Sequence, residues 1–356
     1  MINFTVGPVQ SCSEVLEIGS VSTPYFRTAE FSEIMLENEA LIKKFMNAPE
    51  GSRAVFITGS GTASMEAAVI NTLTKDDNAL VVKGGSFGER FSQLCDIHGI
   101  HHTDIELAPG ESLTEDILSQ FEGKGYTAFL INVGETSTGV LYDMELVGEF
   151  CRRNGIFLIA DAISSFIADS LDMEAWGANI VITGSQKALA VPPGISIMAI
   201  DKTALDRIEK IESDCLYLDL KTALKNGERG QTPFTPAVTT LLQINARLRA
   251  IDSTGFEEEQ KKVESLAKYF REKIKDFPFE FLTNTPSNAV TSLKVSNNSA
   301  KEIFEILKNE YEIWICPNGG DLAESVFRVG HLGNLTTEDY DKLIDAMHAL
   351  QERGVF

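Results

Sequence analysis

Between residues 54 and 200 the chain alternates short apolar runs with helical patterns. This alternation restricts the fold more than any other feature. Ala54-Val55-Phe56-Ile57-Thr58 is a run of strand type, followed by the glycine-rich turn Gly59-Ser60-Gly61-Thr62 and a helical pattern over residues 63–73. The succession returns with a strand at 79–82, a turn at Gly84-Gly85 and a helix at 87–98. A further helix is expected at 114–121, a strand at 128–133, and a helix at 144–154 that stops at Gly155. Runs at 156–160, 180–182 and 194–200 complete the series, and a helix over 29–47 precedes it. Strands that alternate with helices build a mainly parallel sheet covered on both faces.

Beyond about residue 235 the texture changes. Long helical patterns at 237–251 and 257–275 are followed by shorter strand candidates at 289–295, 312–316 and 325–329, separated by helices at 299–310 and 337–353. This is the pattern of a small α+β domain. The expected division is a segment at 1–20 lying near the functional site, a large α/β domain at 21–250 and a small C-terminal domain at 251–356.

In an open parallel sheet, ligands sit beyond the carboxyl ends of the strands. The run at 156–160 ends in Asp161, and the run at 180–182 leads through Thr183-Gly184-Ser185-Gln186 to Lys187. An acid and a lysine therefore project into one crevice. A structural ion pair accounts for them. So does a pyridoxal phosphate site, in which lysine holds the aldehyde as a Schiff base and aspartate pairs with the pyridinium nitrogen.

Other residues bear on that choice. Ser60, Gly61 and Thr62 open a helix after the first strand, and free N–H groups at a helix N-terminus bind phosphate. The turn is neither G-x-G-x-x-G nor a P-loop with lysine, which speaks against a nucleotide or a Rossmann dehydrogenase. Phe87 follows the second strand, where it can stack on an aromatic ring or simply fill core. Thr136 and Ser137, in Glu135-Thr136-Ser137-Thr138-Gly139, can bond a ring oxygen or cap a turn. Arg328 lies in the apolar run Val326-Phe327-Arg328-Val329 and needs an anionic partner, either a structural acid or a substrate carboxylate. His331 reads as a turn histidine.

With 31 basic and 52 acidic side chains the net charge is −21, which excludes nucleic acid and anionic membrane as natural partners. No run of about 18 apolar residues is present. The five cysteines are widely spaced and never form C-x-x-C, which disfavours a disulfide framework or a zinc site and suggests a cytoplasmic protein. No metal is expected.

Taken together, these motifs resemble the class V, fold-type I pyridoxal phosphate aminotransferases. Within them the chain is similar to the alanine–glyoxylate, serine–pyruvate and 2-aminoethylphosphonate–pyruvate group. The resemblance runs nearly end to end. It is carried by Thr5-Val6-Gly7-Pro8-Val9, Gly59-Ser60-Gly61-Thr62-Ala63, Gly134-Glu135-Thr136-Ser137-Thr138-Gly139-Val140 and Asp161-Ala162-Ile163-Ser164-Ser165. Gly184-Ser185-Gln186-Lys187-Ala188-Leu189, Thr232-Pro233-Phe234-Thr235-Pro236 and Phe327-Arg328-Val329-Gly330 complete it.

The resemblance implies a fold: a large domain with a mainly parallel seven-stranded sheet flanked by helices, plus the small domain. It also implies roles. Lys187 is the Schiff-base lysine and Asp161 the partner of the ring nitrogen. Phe87 and Ile163 cover the two ring faces. Ser60, Gly61, Thr62 and Gln186 hold the phosphate, and Ser137 or Thr136 sits by the ring hydroxyl. Arg328 takes the substrate carboxylate, and Gly7 lines the entrance. Thr235 would reach the cofactor phosphate of a neighbouring subunit, which makes the enzyme a homodimer with a composite active site. The implied reaction moves an amino group from a small donor of alanine, serine or 2-aminoethylphosphonate type to a 2-oxoacid such as pyruvate or glyoxylate. Cysteine desulfurases of the same class stack a histidine on the ring and carry a loop cysteine. Phe87, Gln186 and the cysteine positions here depart from them, so a lyase acting on a small amino acid is the alternative, and a non-catalytic protein of this fold a remoter one.

Overall fold

A computed structural model describes residues 1–356. Seven strands form the central sheet: β1 (Arg53–Thr58), β2 (Asn78–Lys83), β3 (His101–Glu106), β4 (Ala128–Asn132), β5 (Phe157–Asp161), β6 (Ile180–Gly184) and β7 (Ile195–Ile200). Their order is β1-β7-β6-β5-β4-β2-β3, and only β7 runs against its neighbours. Strands β4 to β7 are buried along their whole length. That explains their unbroken apolar character: a strand covered on both faces has no polar side to alternate with. Successive residues still point to opposite faces. Leu80, Phe129, Leu158 and Val181 join one core, whereas Val81, Leu130, Ile159 and Ile182 join the core on the other side.

Four helices cover this sheet or flank it: α1 (Ala29–Phe45), α2 (Gly61–Thr72), α3 (Gly88–His98) and α4 (Met144–Asn154). The Thr28 hydroxyl accepts from the Phe31 N–H at the start of α1, and Asp143 accepts from the Glu145 and Leu146 N–H groups at the start of α4. Gly155 ends α4 in the left-handed conformation, φ 66°, which glycine adopts without strain.

Strand β3 was not anticipated. Its sequence, His101-His102-Thr103-Asp104-Ile105-Glu106, is polar because it is an edge strand with a single neighbour and mostly half-exposed side chains. Two helices, Lys202–Lys210 and Leu220–Gly227, also lay outside the sequence reading. The helix expected at 114–121 shrinks to Glu115–Ser119.

Helices α5 (Val238–Thr254) and α6 (Phe256–Lys273) lead to a second, antiparallel sheet. Its strands are β8 (Phe279–Phe281), β9 (Val290–Val295), β10 (Cys316–Pro317) and β11 (Val326–Gly330), in the order β8-β9-β11-β10. Helices α7 (Ala300–Glu310) and α8 (Thr337–Glu352) pack with it around a third core containing Phe4, Phe270, Phe327 and Tyr340. The strand expected at 312–316 is divided. Ile313-Trp314 pairs in parallel with Ile2-Asn3, and Cys316-Pro317 pairs with β11. The chain's first residues thus belong with this sheet, and the Phe4 N–H donates to the Trp314 carbonyl. From there the chain passes a cis Gly7-Pro8 peptide bond and lies against Lys187.

Candidate active site

Strands β4, β5 and β6 end side by side, and Asn132 and Asp161, which end the first two, with Gln186 and Lys187, which follow the third, open into a cavity of about 360 Å³. Its walls carry Gly7, Ser60, Gly61, Thr62, Phe87, Thr136, Asp161, Ile163, Gln186 and Lys187. These residues come from sequence positions 7 to 187, and the parallel sheet brings them together at its carboxyl edge, where ligands bind in this architecture.

Asp161 is 4% exposed. Its Oδ1 accepts from the Ile163 N–H at 2.8 Å and its Oδ2 from the Asn132 side-chain amide at 2.6 Å. Burial pushes its carboxyl up to about 6, aided by the negative Glu135 and resisted by these hydrogen bonds and by Lys187. Lys187, 8% exposed, donates from Nζ to the Val6 carbonyl at 2.5 Å. Burial brings its ammonium down to about 8; the Arg328 and Arg90 charges add to the effect, while Cys316 and Asp161 oppose it. Asp161 and Lys187 do not form an ion pair with each other. The structural explanation for the pair therefore fails, and what separates the two groups is cavity.

One end of that cavity suits a phosphate. Ser60 caps α2 without using its side chain; the Ala63 N–H donates to the Ser60 carbonyl at 2.8 Å, and Gly61 and Thr62, whose N–H groups open the helix, line the cavity. Gly61 lets the turn sit close to Ile163, since a Cβ there would stand 2.1 Å from Ile163 Cδ1 and would displace that side chain. Gly7 has φ 128°, and a Cβ on it would lie 2.7 Å from Lys187 Cδ. The Phe87 ring forms another wall, with Lys187 Nζ 5.9 Å from its centroid.

Arg328 is 8% exposed and has no acidic partner. Its Nη1 donates to the Thr136 carbonyl at 3.0 Å and its Nη2 to the Pro317 carbonyl at 2.7 Å, whereas Nε has no partner. It stands behind Thr136 rather than on the cavity wall itself. Ser137 is also off the wall. Its Oγ donates to Glu135 at 2.5 Å and accepts from the Ser86 N–H at 3.2 Å, so Thr136 is the residue of that turn that faces the cavity. Thr235 is exposed in a separate surface recess with Tyr217 and Phe234, and one chain does not bring it to the cavity. His331 is fully buried, between the Thr291 hydroxyl at 2.7 Å and the Tyr340 hydroxyl at 2.8 Å. It lies outside the site.

The sequence reading passed over Asn132, Gly134, Ser164 and Arg90, which also line the cavity. Asn132 was legible: it ends β4 as Asp161 ends β5, and the two are direct neighbours in the sheet. Arg90 gave no signal, because one arginine on a helix is ordinary. In the fold its Nη1 donates to Thr62 Oγ1 at 3.2 Å and its guanidinium lies 4.5 Å from the Phe87 centroid.

Three buried polar atoms around this space have no partner in the protein: Asn132 Oδ1, Gln186 Oε1 and Arg328 Nε. Buried polar groups are otherwise almost always paired, so these await a ligand or water. An acid, a lysine, a helix N-terminus and an aromatic wall around one cavity are the complement of pyridoxal phosphate.

Residues 14–335 match the family model for aminotransferase class-V. The chain belongs to that family. It is a transaminase of fold type I, and its cofactor is pyridoxal phosphate. Among relatives, it is 29% identical to the small subunit of a soluble hydrogenase of Synechococcus over 91% of this chain and 86% of that one. It is 26% identical to the L-aspartate–glyoxylate aminotransferase of Paracoccus denitrificans, covering 94% of this chain and 86% of the relative. The crystal structure of an alanine–glyoxylate aminotransferase from Nostoc superposes with a TM-score of 0.92 at 25% identity, over 98% of this chain and 95% of that one. No group of three or more histidine, cysteine or acidic side chains is placed to hold a metal ion, and no helix is long and apolar enough to cross a membrane.

Proposed function

We propose that this class-V aminotransferase moves an amino group from a small amino acid to a 2-oxoacid, with Lys187 as the residue that bonds the cofactor. The observation that carries this is the placement of Lys187 and Asp161 across one cavity, both buried and not paired with each other. When bound, the cofactor supplies an aldehyde for amines and a protonated ring that withdraws electrons.

The chain's own groups supply the rest. Asp161, oriented by Asn132 and the Ile163 N–H, would pair with the ring nitrogen and keep it protonated. Phe87 and Ile163 hold the ring between them. Ser60, Gly61, Thr62 and Gln186 would take the phosphate, and Thr136, rather than Ser137, would attend the ring hydroxyl. Lys187 Nζ receives the proton that leaves the donor's Cα and returns it on the far side of the transfer. An amine that loses its proton at about 8 is neutral in roughly one molecule in ten at pH 7, against fewer than one in a thousand for an ordinary lysine. Arg328, with Nε unpaired and no acid beside it, binds the donor's carboxylate, which suits the guanidinium fork. Gly7 leaves room at the entrance.

Alanine or serine as donor, and pyruvate or glyoxylate as acceptor, fit a site with one carboxylate anchor; 2-aminoethylphosphonate has no carboxylate and would need that anchor to take a phosphonate instead. Relatives named for alanine–glyoxylate and aspartate–glyoxylate transamination support glyoxylate. The reading includes a segment at 1–20 beside the site, a large domain at 21–250 and a small domain at 251–356, and two sheets with separate cores support the two domains. It includes a cytoplasmic homodimer. The exposed Tyr217 and Phe234 share a recess with Thr235, and such apolar side chains suit a subunit interface that would carry Thr235 to a neighbour's site. Five free thiols suit a reducing compartment.

The test is the absorbance of the purified holoenzyme, before and after single amino donors are added without oxoacid. Conversion of the yellow cofactor to its amine form supports transamination, and the active donor names the substrate. A yellow protein that binds donors without this conversion counts against it.

A further inference from the structure

The reading above leaves one buried carboxylate without a task. Glu135 is 1% exposed and has no cationic partner, yet all its lone pairs are engaged. Its Oε1 accepts from the Ser137 N–H at 3.0 Å and the Ser137 hydroxyl at 2.5 Å. Its Oε2 accepts from the Phe87 N–H at 3.2 Å and the Gly88 N–H at 2.9 Å. The carboxylate thus caps α3 from another part of the chain, at the helix end where negative charge is favoured. Phe87, the N-cap of that helix, makes no cap bond of its own.

Two further contacts show that this junction is built tightly. A Cβ on Gly85 would stand 2.3 Å from Ser137 Oγ and 2.6 Å from Glu135 Cδ, so the loop carrying Phe87 lies directly on the 135–137 turn. The same turn carries Thr136, whose carbonyl accepts from Arg328 Nη1, and Ser137, whose carbonyl accepts from the Asn318 amide at 2.8 Å. We infer that Glu135 is a positioning residue: it locks the ring-stacking Phe87 to the turn that also seats Arg328, fixing where the cofactor ring lies relative to the substrate carboxylate. The inference rests on Phe87 as a cofactor contact, as proposed above.

Glutamine cannot replace this carboxylate. Each oxygen faces two donors, so an amide NH₂ meets N–H groups whichever way it turns. The holoenzyme is stripped of cofactor, and the wild type, E135Q, F87A and the double variant are titrated with pyridoxal phosphate, followed by absorbance and by the visible circular dichroism of the bound ring. Glu135→Gln is expected to weaken binding about tenfold or more and to diminish the visible dichroism. In the F87A background it is expected to add little, because its effect acts through Phe87. Full additivity of the two changes, or wild-type binding and dichroism in E135Q, overturns the inference. Should E135Q not fold, Ser137→Ala removes one donor to Glu135 and the acceptor of the Ser86 N–H, and the same non-additivity with F87A is required of it at smaller size. A wild-type chain that takes up no pyridoxal phosphate overturns the cofactor assignments themselves. Normal uptake with additive variants overturns only the role of Glu135.

Discussion

Two of the buried acids in this chain, each with a cation nearby, serve opposite ends. Asp161 faces Lys187 across the cavity, while Asp169 lies near Arg271 where the C-terminal sheet meets the large one. Burial pushes both carboxyls up to about 6, and it lowers both cations from their ordinary values. Yet around Asp169 every partner is present. The Ser287 hydroxyl donates to it at 2.5 Å and the Asn288 N–H at 2.7 Å, while Arg271 donates to the Ser287 carbonyl and to Thr291 Oγ1. Around Asp161 there is a cavity, and Asn132 and Gln186, which line it, each keep a side-chain oxygen without a partner. A perturbed pKa marks both places; a cavity between the acid and its cation marks only the functional one.

That contrast can be broken by mutation. Lys187→Ala should leave a folded protein and lower turnover by about three orders of magnitude or more, measured as amino transfer between a donor and glyoxylate. Normal turnover in that variant would end the assignment. Asp161→Asn should lower turnover by about a hundred- to a thousandfold while leaving the unfolding midpoint of the cofactor-free protein no lower than that of wild type. Arg328→Ala should raise the KM for carboxylate substrates roughly ten- to a hundredfold with a smaller change in kcat.

At the other acid the effects reverse. Asp169→Ala should reduce stability by about 2–3 kcal/mol in denaturant unfolding, since it strands the Ser287 hydroxyl and the Asn288 N–H, and cofactor affinity should stay near that of wild type. If this variant lost cofactor as readily as D161N, the two sites would not be separable in the way described.

The smallest expected effect concerns pH. Asp161 titrates higher in the folded protein than in an unfolded chain. Between its ordinary value of 3.8 and about 6, the folded state holds a proton that the unfolded state has released. Its contribution to stability is therefore present at low pH and is lost as pH rises through that window. The cofactor-free D161N variant lacks this loss. Its stability relative to wild type should grow from pH 4 to 6 and level off above, and a relative stability that falls over this range would contradict the burial argument.

How far the sequence disclosed this site depended on where each signal lay. Asp161 and Lys187 were visible because each follows an apolar run that must be a buried strand, and the ends of buried strands point to one edge. Asn132 obeys the same rule and was absorbed into its strand. Glu135 and Arg90 were hidden for a different reason: a glutamate in a turn and an arginine on a helix are ordinary until the fold shows what they touch. Strand β3 was missed because an edge strand needs no apolar face. The strand at 312–316 was expected, but its pairing with Ile2-Asn3 was not, because that partner lies at the far end of the chain. Thr235 belongs to the part of the reading that a single chain does not reach.

The most direct test is chemical. The protein is incubated with pyridoxal phosphate, reduced with borohydride and mapped by peptide mass spectrometry. A single pyridoxyl label on the peptide carrying Lys187, absent from K187A, is the result expected. Label spread over surface lysines alike in both proteins, or seated on another buried lysine, would contradict the account at its centre.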